Sequence, residues 1–175
     1  MCDAHSSLHG AAPRLRRRAF LARAGVAPLL LSPLAGLLAA CGKGGWPDGM
    51  APIRWDRDTC IRCKMVISDR RFAAELRGGP AGTVFKFDDI GCLVFWLQEQ
   101  AEAHPWMAAA DTRMWVADFA SPSREAMRWL DPRQARYVAR SSPMGYNFAA
   151  LAEAEAEADA VDYGQMRQRT LSRGR

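Results

Sequence analysis

The chain has 175 residues, 49% of them hydrophobic and 25% charged, with five cysteines and a formal net charge of +5. Five arginines against one aspartate in residues 1–40 supply +4 of that charge, which leaves about +1 for the rest. The isoelectric point of about 9.2 therefore describes the N-terminus, and no nucleic-acid partner is expected.

Residues 1–40 read as an export signal. Arg14, Arg16, Arg17 and Arg18 form a short positive block. The run FLARAGVAPLLLSPLAGLLAA follows, apolar apart from Arg23 and Ser32. A positive region, an apolar region and small residues before a cut site make the secretory pattern. Pro28, Pro33 and Gly36 suit a cleaved signal better than a stable spanning helix. Leu38, Ala39, Ala40 and Cys41 resemble the bacterial lipobox, which implies cleavage before Cys41 and lipid on its sulfur. RRAFL (Arg17 to Leu21) also resembles a twin-arginine signal, which implies export of a folded chain. An uncleaved anchor would equally leave residues 42–175 outside the cytoplasm. The expected location is a membrane-anchored lipoprotein facing the periplasm, and two acyl chains on Cys41 would hold it there.

Next come residues 41–52, with the Gly/Pro-rich GKGGWPDGMAP, read as the lipidated cysteine and a flexible tether. Residues 53–162 form one small domain. MVISDRRFAAEL (65–76) reads as one bent strand or two short ones, and RGGPAG as a turn. TVFKF (83–87) alternates and reads as a strand. DDIGCLVFWLQEQAEA reads as a helix capped by Asp88 or Asp89, with Ile90, Leu93, Val94 and Leu97 along one face. RMWVADF (113–119) predicts a strand, SREAMRWL (123–130) a short helix and ARYVAR (135–140) a strand. A last helix is predicted to start near Tyr146, with EAEAEAD as its solvated face. YVARSSPMGYNFAALAE then echoes FKFDDIGCLVFWLQE as strand, glycine loop and helix. The fold class is α+β, with two similar small strand–helix modules and antiparallel sheets. Residues 163–175 read as a basic, disordered tail.

Chemistry concentrates in TCIRCKM (59–65). Cys2 leaves with the signal and Cys41 takes lipid, so Cys60, Cys63 and Cys92 remain, and three thiols cannot all pair within one chain. A Cys60–Cys63 disulfide suits an oxidising compartment. A thioredoxin-type redox pair needs cysteines opening a helix after a strand, whereas this pair precedes a strand. Structural zinc wants four nitrogen or thiolate ligands, and beyond the signal and the lipidated cysteine the chain offers only Cys92 and His104 besides the pair. Cu(I) takes fewer ligands and prefers thiolate and thioether sulfur. An extended chain after Cys63 would aim Cys63 and Met65 to the same side, because strand side chains alternate. Cys92 lies on the apolar helix face and reads as a buried thiol, Asp88 and Asp89 as cap residues, and His104 as an isolated histidine. No set of residues for general base, nucleophilic or phosphate chemistry stands out, so an enzyme is not expected.

DTCIRCKM, ISDRRFAAEL, FKFDDIGCLVFWL and SPMGYNFAAL, in that order, resemble the NosL family of copper-binding lipoproteins of nitrous oxide reductase maturation. The resemblance covers residues 58 to about 152 and the lipobox. It implies a periplasmic Cu(I) metallochaperone that works with an ABC-type membrane complex and delivers copper to nitrous oxide reductase. It also implies a fold related to the organomercurial lyase-type domain. Its CxxCxM motif falls on Cys60, Cys63 and Met65. Its FDD-G-C block falls on Phe87, Asp88, Asp89, Gly91 and Cys92, and its late PMG block on Pro143, Met144 and Gly145. The copper ligands expected from it are Cys60, Cys63, Met65 and Met144. Two rivals remain at this point. One is a periplasmic thiol–disulfide protein using Cys60 and Cys63. The other is a lyase-like enzyme in which Cys63, Cys92 and Asp89 converge.

Overall fold

Two antiparallel hairpins, each followed by a helix, organise the computed structural model, which describes residues 45–174. The signal region, the lipobox cysteine Cys41 and the arginine pair lie outside the described residues. In the first half, β1 (Ala74–Gly78) pairs with β2 (Thr83–Phe87), and α1 (Ile90–Glu99) follows. β3 (Arg113–Ala117) pairs with the other edge of β1, and β4 (Trp129–Leu130) completes a sheet of order β2-β1-β3-β4. In the second half, β5 (Arg136–Ala139) pairs with β6 (Phe148–Leu151), and α2 (Tyr163–Ser172) follows. The fold is α+β with antiparallel sheets. A parallel bridge between Asp118 and Ala150 joins the end of β3 to β6, through a Phe119 N–H donated to the Ala150 carbonyl at 2.8 Å.

Side-chain alternation sorts the first sheet into two faces. Register places Ala74 beside Phe87 and Val116, and Leu76 beside Phe85 and Met114. This face packs under α1, where Trp96 meets both Phe85 and Phe87 edge-on. The opposite face carries Glu75, Lys86 and Trp115. It is covered by residues 45–58, so residues 45–52 of the expected tether pack on the sheet, and residues 41–44 lie outside the described residues. Trp46 stacks on Trp129 at 5.2 Å, and Met50 and Ile53 are buried. The Ala51 amide donates to Glu75 at 2.8 Å, and Lys86 donates to the Pro52 carbonyl and to Asp58. The glycines and prolines of this segment shape a strap that fits the sheet; they do not leave it loose.

Further expectations need correction. The strand expected within 65–76 begins only at Ala74; before it, the chain makes one bridge, Thr59 to Val66. Residues 123–128 form a turn. Ser123 accepts amides from Glu125 and Ala126 as a helix cap would, but the chain then enters β4, held to the sheet by a bond from the Asp118 amide to the Arg128 carbonyl. The segment from Tyr146 is not a helix. Phe148 to Leu151 are all buried as β6, and tertiary packing overrides the helix preference of alanine. The glutamates that follow project from irregular chain and a short 3-10 turn toward arginines, as Arg128–Glu155, Arg136–Glu153 and Arg140–Glu157.

The basic tail is ordered as α2. Asp162 and Gln165 form a reciprocal capping box, and Met166 and Thr170, one turn apart, are buried. The two halves thus share a hairpin–helix plan, but the repeat lies in a different register from the expected one. The SPMG segment joins β5 to β6 and does not lead into a helix.

Candidate metal centre

The Cys60–Met65 segment closes on itself. The Cys60 amide donates to the Met65 carbonyl at 2.8 Å, and the Lys64 amide to the Cys60 carbonyl at 3.0 Å. Lys64 adopts φ +64 to make the reversal. The Ile61 amide donates to the Lys86 carbonyl at 3.0 Å and fixes the loop to β2. One residue past β2, at Asp88, the chain turns into α1, so the first turn of that helix arrives beside the loop.

Cys92 stands in that first turn, and here the structure departs from the sequence reading. The sulfurs of Cys60, Cys63 and Cys92 all lie within 4.8 Å of one another. Cys60 and Cys92 are fully buried, Cys63 is half-buried, and all three are free thiols. Cys92 is therefore buried, as expected, and also part of the cluster, which was not. Two signals pointed to it. The cysteine count leaves one thiol over, and an Asp89 cap places residue 92 in the first turn, directly after the strand that anchors the loop.

Met65 closes the same loop. Lys64, between it and Cys63, takes a left-handed φ of +64 that interrupts the strand alternation expected over residues 63–65, and Met65 is 57% exposed, next to an exposed Val66. Met144 is half-buried. With Cys63, Arg62 and Glu99 it lines an open pocket of ≈ 370 Å³. His104 packs against Phe85 and Trp106 and lines a different pocket with Met107 and Arg167.

The electrostatics favour one negative sulfur. Hydrogen bonding from the Cys92 thiol, aided by the backbone amides of Cys63 and Asp88, holds the Cys60 thiol well below its ordinary range against the opposing effect of burial. The bond to Cys60, with burial, pushes Cys92 up, and burial pushes Cys63 up. Negative charge on Cys60 is thus favoured by the neighbouring thiols and by the nearby helix N-terminus. Burial raises Asp88 to about 6, and the Cys60 charge adds to this. Asp89 is fully buried, and burial raises it too. Its oxygens accept the Gly91 amide, the Ser142 hydroxyl and, at longer range, the Met144 amide. The two thiols that a lyase-like site would need do meet, but Asp89 is committed to the cap and to a loop.

Chemically, the arrangement is a soft-donor pocket. A metal about 2.3 Å from three thiolates sets their sulfurs roughly 4 Å apart, a spacing compatible with sulfurs that all lie within 4.8 Å of one another. Three sulfurs with a thioether at the pocket match the preference of Cu(I) better than the four nitrogen or thiolate donors of structural zinc.

The NosL family model matches residues 54–167. The crystal structure of the copper chaperone NosL from Shewanella denitrificans is similar at 20% identity, over 64% of this chain and 86% of that one, with a TM-score of 0.48. No curated protein matches the chain.

Proposed function

On the premise that this chain belongs to the NosL family, we propose that it is a Cu(I)-binding metallochaperone whose cargo is held by Cys60, Cys63 and Cys92. The observation that carries this reading is the meeting of three cysteine sulfurs within 4.8 Å, two of them buried and one at a pocket. Hydrogen bonding eases the loss of the Cys60 proton, and the thiols lose their protons as the cation arrives, since metal binding and thiol deprotonation are linked. Met144 is the fourth candidate ligand, reached through the pocket. Met65 is an outer ligand at the rim, exposed where an incoming or departing ion passes. The site has the form of a carrier. Its buried sulfurs retain the ion, and its accessible side lets an acceptor add a ligand before the donor releases one.

The finer reading follows from the family and from residues 1–41. The chain is proposed to be a periplasmic lipoprotein anchored through Cys41, which works beside an ABC-type maturation complex and passes copper to nitrous oxide reductase. The test is an anaerobic Cu(I) titration of the detergent-solubilised chain against a competing chelator. Tight binding of one equivalent, weakened in Cys63→Ser and Cys92→Ser, is expected. Unaltered affinity in both variants would sink the cluster as the site.

The low-lying Cys60 thiol also supports a second reading, as a thiol–disulfide protein. That reading requires Cys60–Cys63 to cycle with dithiol and disulfide partners, with copper affinity too weak to compete. The same titration, run beside a redox equilibration, separates the two.

A further inference from the structure

The loop between β5 and β6 is fastened to both elements that carry the cysteines. Its first fastening is Asp89, the cap of α1. One carboxylate oxygen accepts the Gly91 amide at 2.9 Å, and the other accepts the Ser142 hydroxyl at 2.5 Å and lies 3.4 Å from the Met144 amide. An ordinary helix cap needs only the first of these bonds. Burying a carboxylate costs free energy unless donors surround it, and here the extra donors come from the loop.

The second fastening is Tyr146. Its ring occupies the space that a side chain at residue 91 would fill, since a Cβ on Gly91 would come within 2.2 Å of ring carbons. Its hydroxyl accepts from Arg62 at 2.7 Å. Arg62 lies between Cys60 and Cys63 in sequence, stacks over Phe95 at 4.5 Å, and donates twice to Glu99 at 2.9 and 2.7 Å. Within the loop, Ser142 and Asn147 exchange two bonds at 2.9 and 3.2 Å, and Gly145 and Asn147 take left-handed φ of 72 and 62. These contacts fix the stretch that carries Met144, at the pocket it shares with Cys63.

We propose that Asp89, Ser142 and Tyr146 are positioning residues that latch the β5–β6 loop against the cysteine cluster, so that Met144 is presented to the bound ion opposite Cys63. The proposal rests on the Cu(I)-carrier reading. It adds that the retention supplied by Met144 belongs to the latch as much as to the methionine: with the latch cut, the loop and its thioether swing clear and the ion exchanges faster.

The test is a double-mutant cycle on the full chain in detergent, with Cu(I) affinity and the rate of loss to a chelator as readouts. Asp89 also caps α1, so its removal endangers the fold. Ser142→Ala removes the hydroxyl bond to Asp89, and Tyr146→Ala removes both the ring against Gly91 and the bond to Arg62, so together they cut the latch and leave the cap bond to Gly91 in place. In the wild-type background Met144→Leu is expected to weaken Cu(I) binding about tenfold and to speed its loss, within the range set by supporting groups of metal sites. In the latch-cut background the same substitution is expected to change affinity by less than about twofold, because the thioether is already displaced. A purely structural role for the latch residues would lower the melting temperature yet leave the Met144 increment intact; equal increments in both backgrounds therefore overturn the proposal. No effect of Met144→Leu in either background also overturns it. A wild-type chain that binds no Cu(I) fails at the first titration and overturns the carrier reading separately.

Discussion

The two hairpin–helix halves use the same local device to different ends. Each helix is capped by an aspartate and has glycine as its second residue. Asp162 in the second half is exposed and completes its capping box with Gln165, its own neighbour. Asp89 in the first half is fully buried and reaches across to Ser142 and Met144 of the other half. Gly164 has only an oxygen of Asp162 near a hypothetical Cβ, at 3.4 Å, whereas Gly91 has the Tyr146 ring at 2.2 Å. A cap that satisfies its own helix is a folding element. One that spends its oxygens on a distant loop belongs to a site, and the cysteine cluster lies beside it.

Buried acids mark the same division. Glu75, Asp88 and Asp89 are buried in the first half, while Glu153, Glu155, Glu157 and Asp162 in the second are exposed. Burial raises Glu75 from 4.5 to about 7. A raised folded-state value means the folded chain keeps its proton after the unfolded chain has lost it. The corresponding stability is complete below about pH 4.5 and disappears as pH climbs through about 7, a loss on the order of 3 kcal/mol at about 1.4 kcal/mol per unit. Urea denaturation at pH 5 and pH 8 should record that fall, and Glu75→Gln should flatten it. An unchanged slope in the variant would refute the assignment to Glu75.

Cys92→Ser comes next. Loss of a ligand should weaken Cu(I) binding at least about 100-fold, beyond the range for outer-shell partners, or about 2.7 kcal/mol. Chelator competition measures it, and an effect below tenfold would return Cys92 to the status of a packing thiol.

The glycine pair sharpens the contrast directly. Gly91→Ala forces the Tyr146 ring to move and should cost about 2 kcal/mol. Gly164→Ala, in open helix, should add about 0.5 kcal/mol. Between them in size falls Asp162→Ala, at about 1 kcal/mol of lost capping, with copper affinity unchanged. Thermal unfolding of the three variants ranks them, and equal effects at the two glycines would erase the distinction between the halves.

Much of the first half was legible because its signals are local. TVFKF is β2 to the residue, the helix of the DDIGC block begins after Asp89, one of the two expected caps, and the Arg113 and Arg136 strands lie within the segments read as strands. The second half misled for one reason. AALAEAEAEA has the composition of a helix, but Ala149 and Ala150 are wanted for their small size in a strand packed on both faces, and the glutamates for arginines remote in sequence. The strap over the sheet was hidden in the same way, since Trp46 and the Ala51 amide find their partners, Trp129 and Glu75, on strands far along the chain.

By itself, the sequence determined the element types with short-range causes, the compartment expected from its N-terminus, the soft character of its donors and the family that three ordered blocks resemble. Only the tertiary structure decided which sulfurs meet. A left-handed turn at Lys64 sends Met65 outward, the helix cap brings Cys92 in, and a buried carboxylate holds the Met144 loop near Cys63. Spacing along a chain constrains where a side chain can point within one element. Convergence between elements depends on how loop, helix and hairpin pack, and that is set by long-range hydrogen bonds and close contacts that no local pattern encodes.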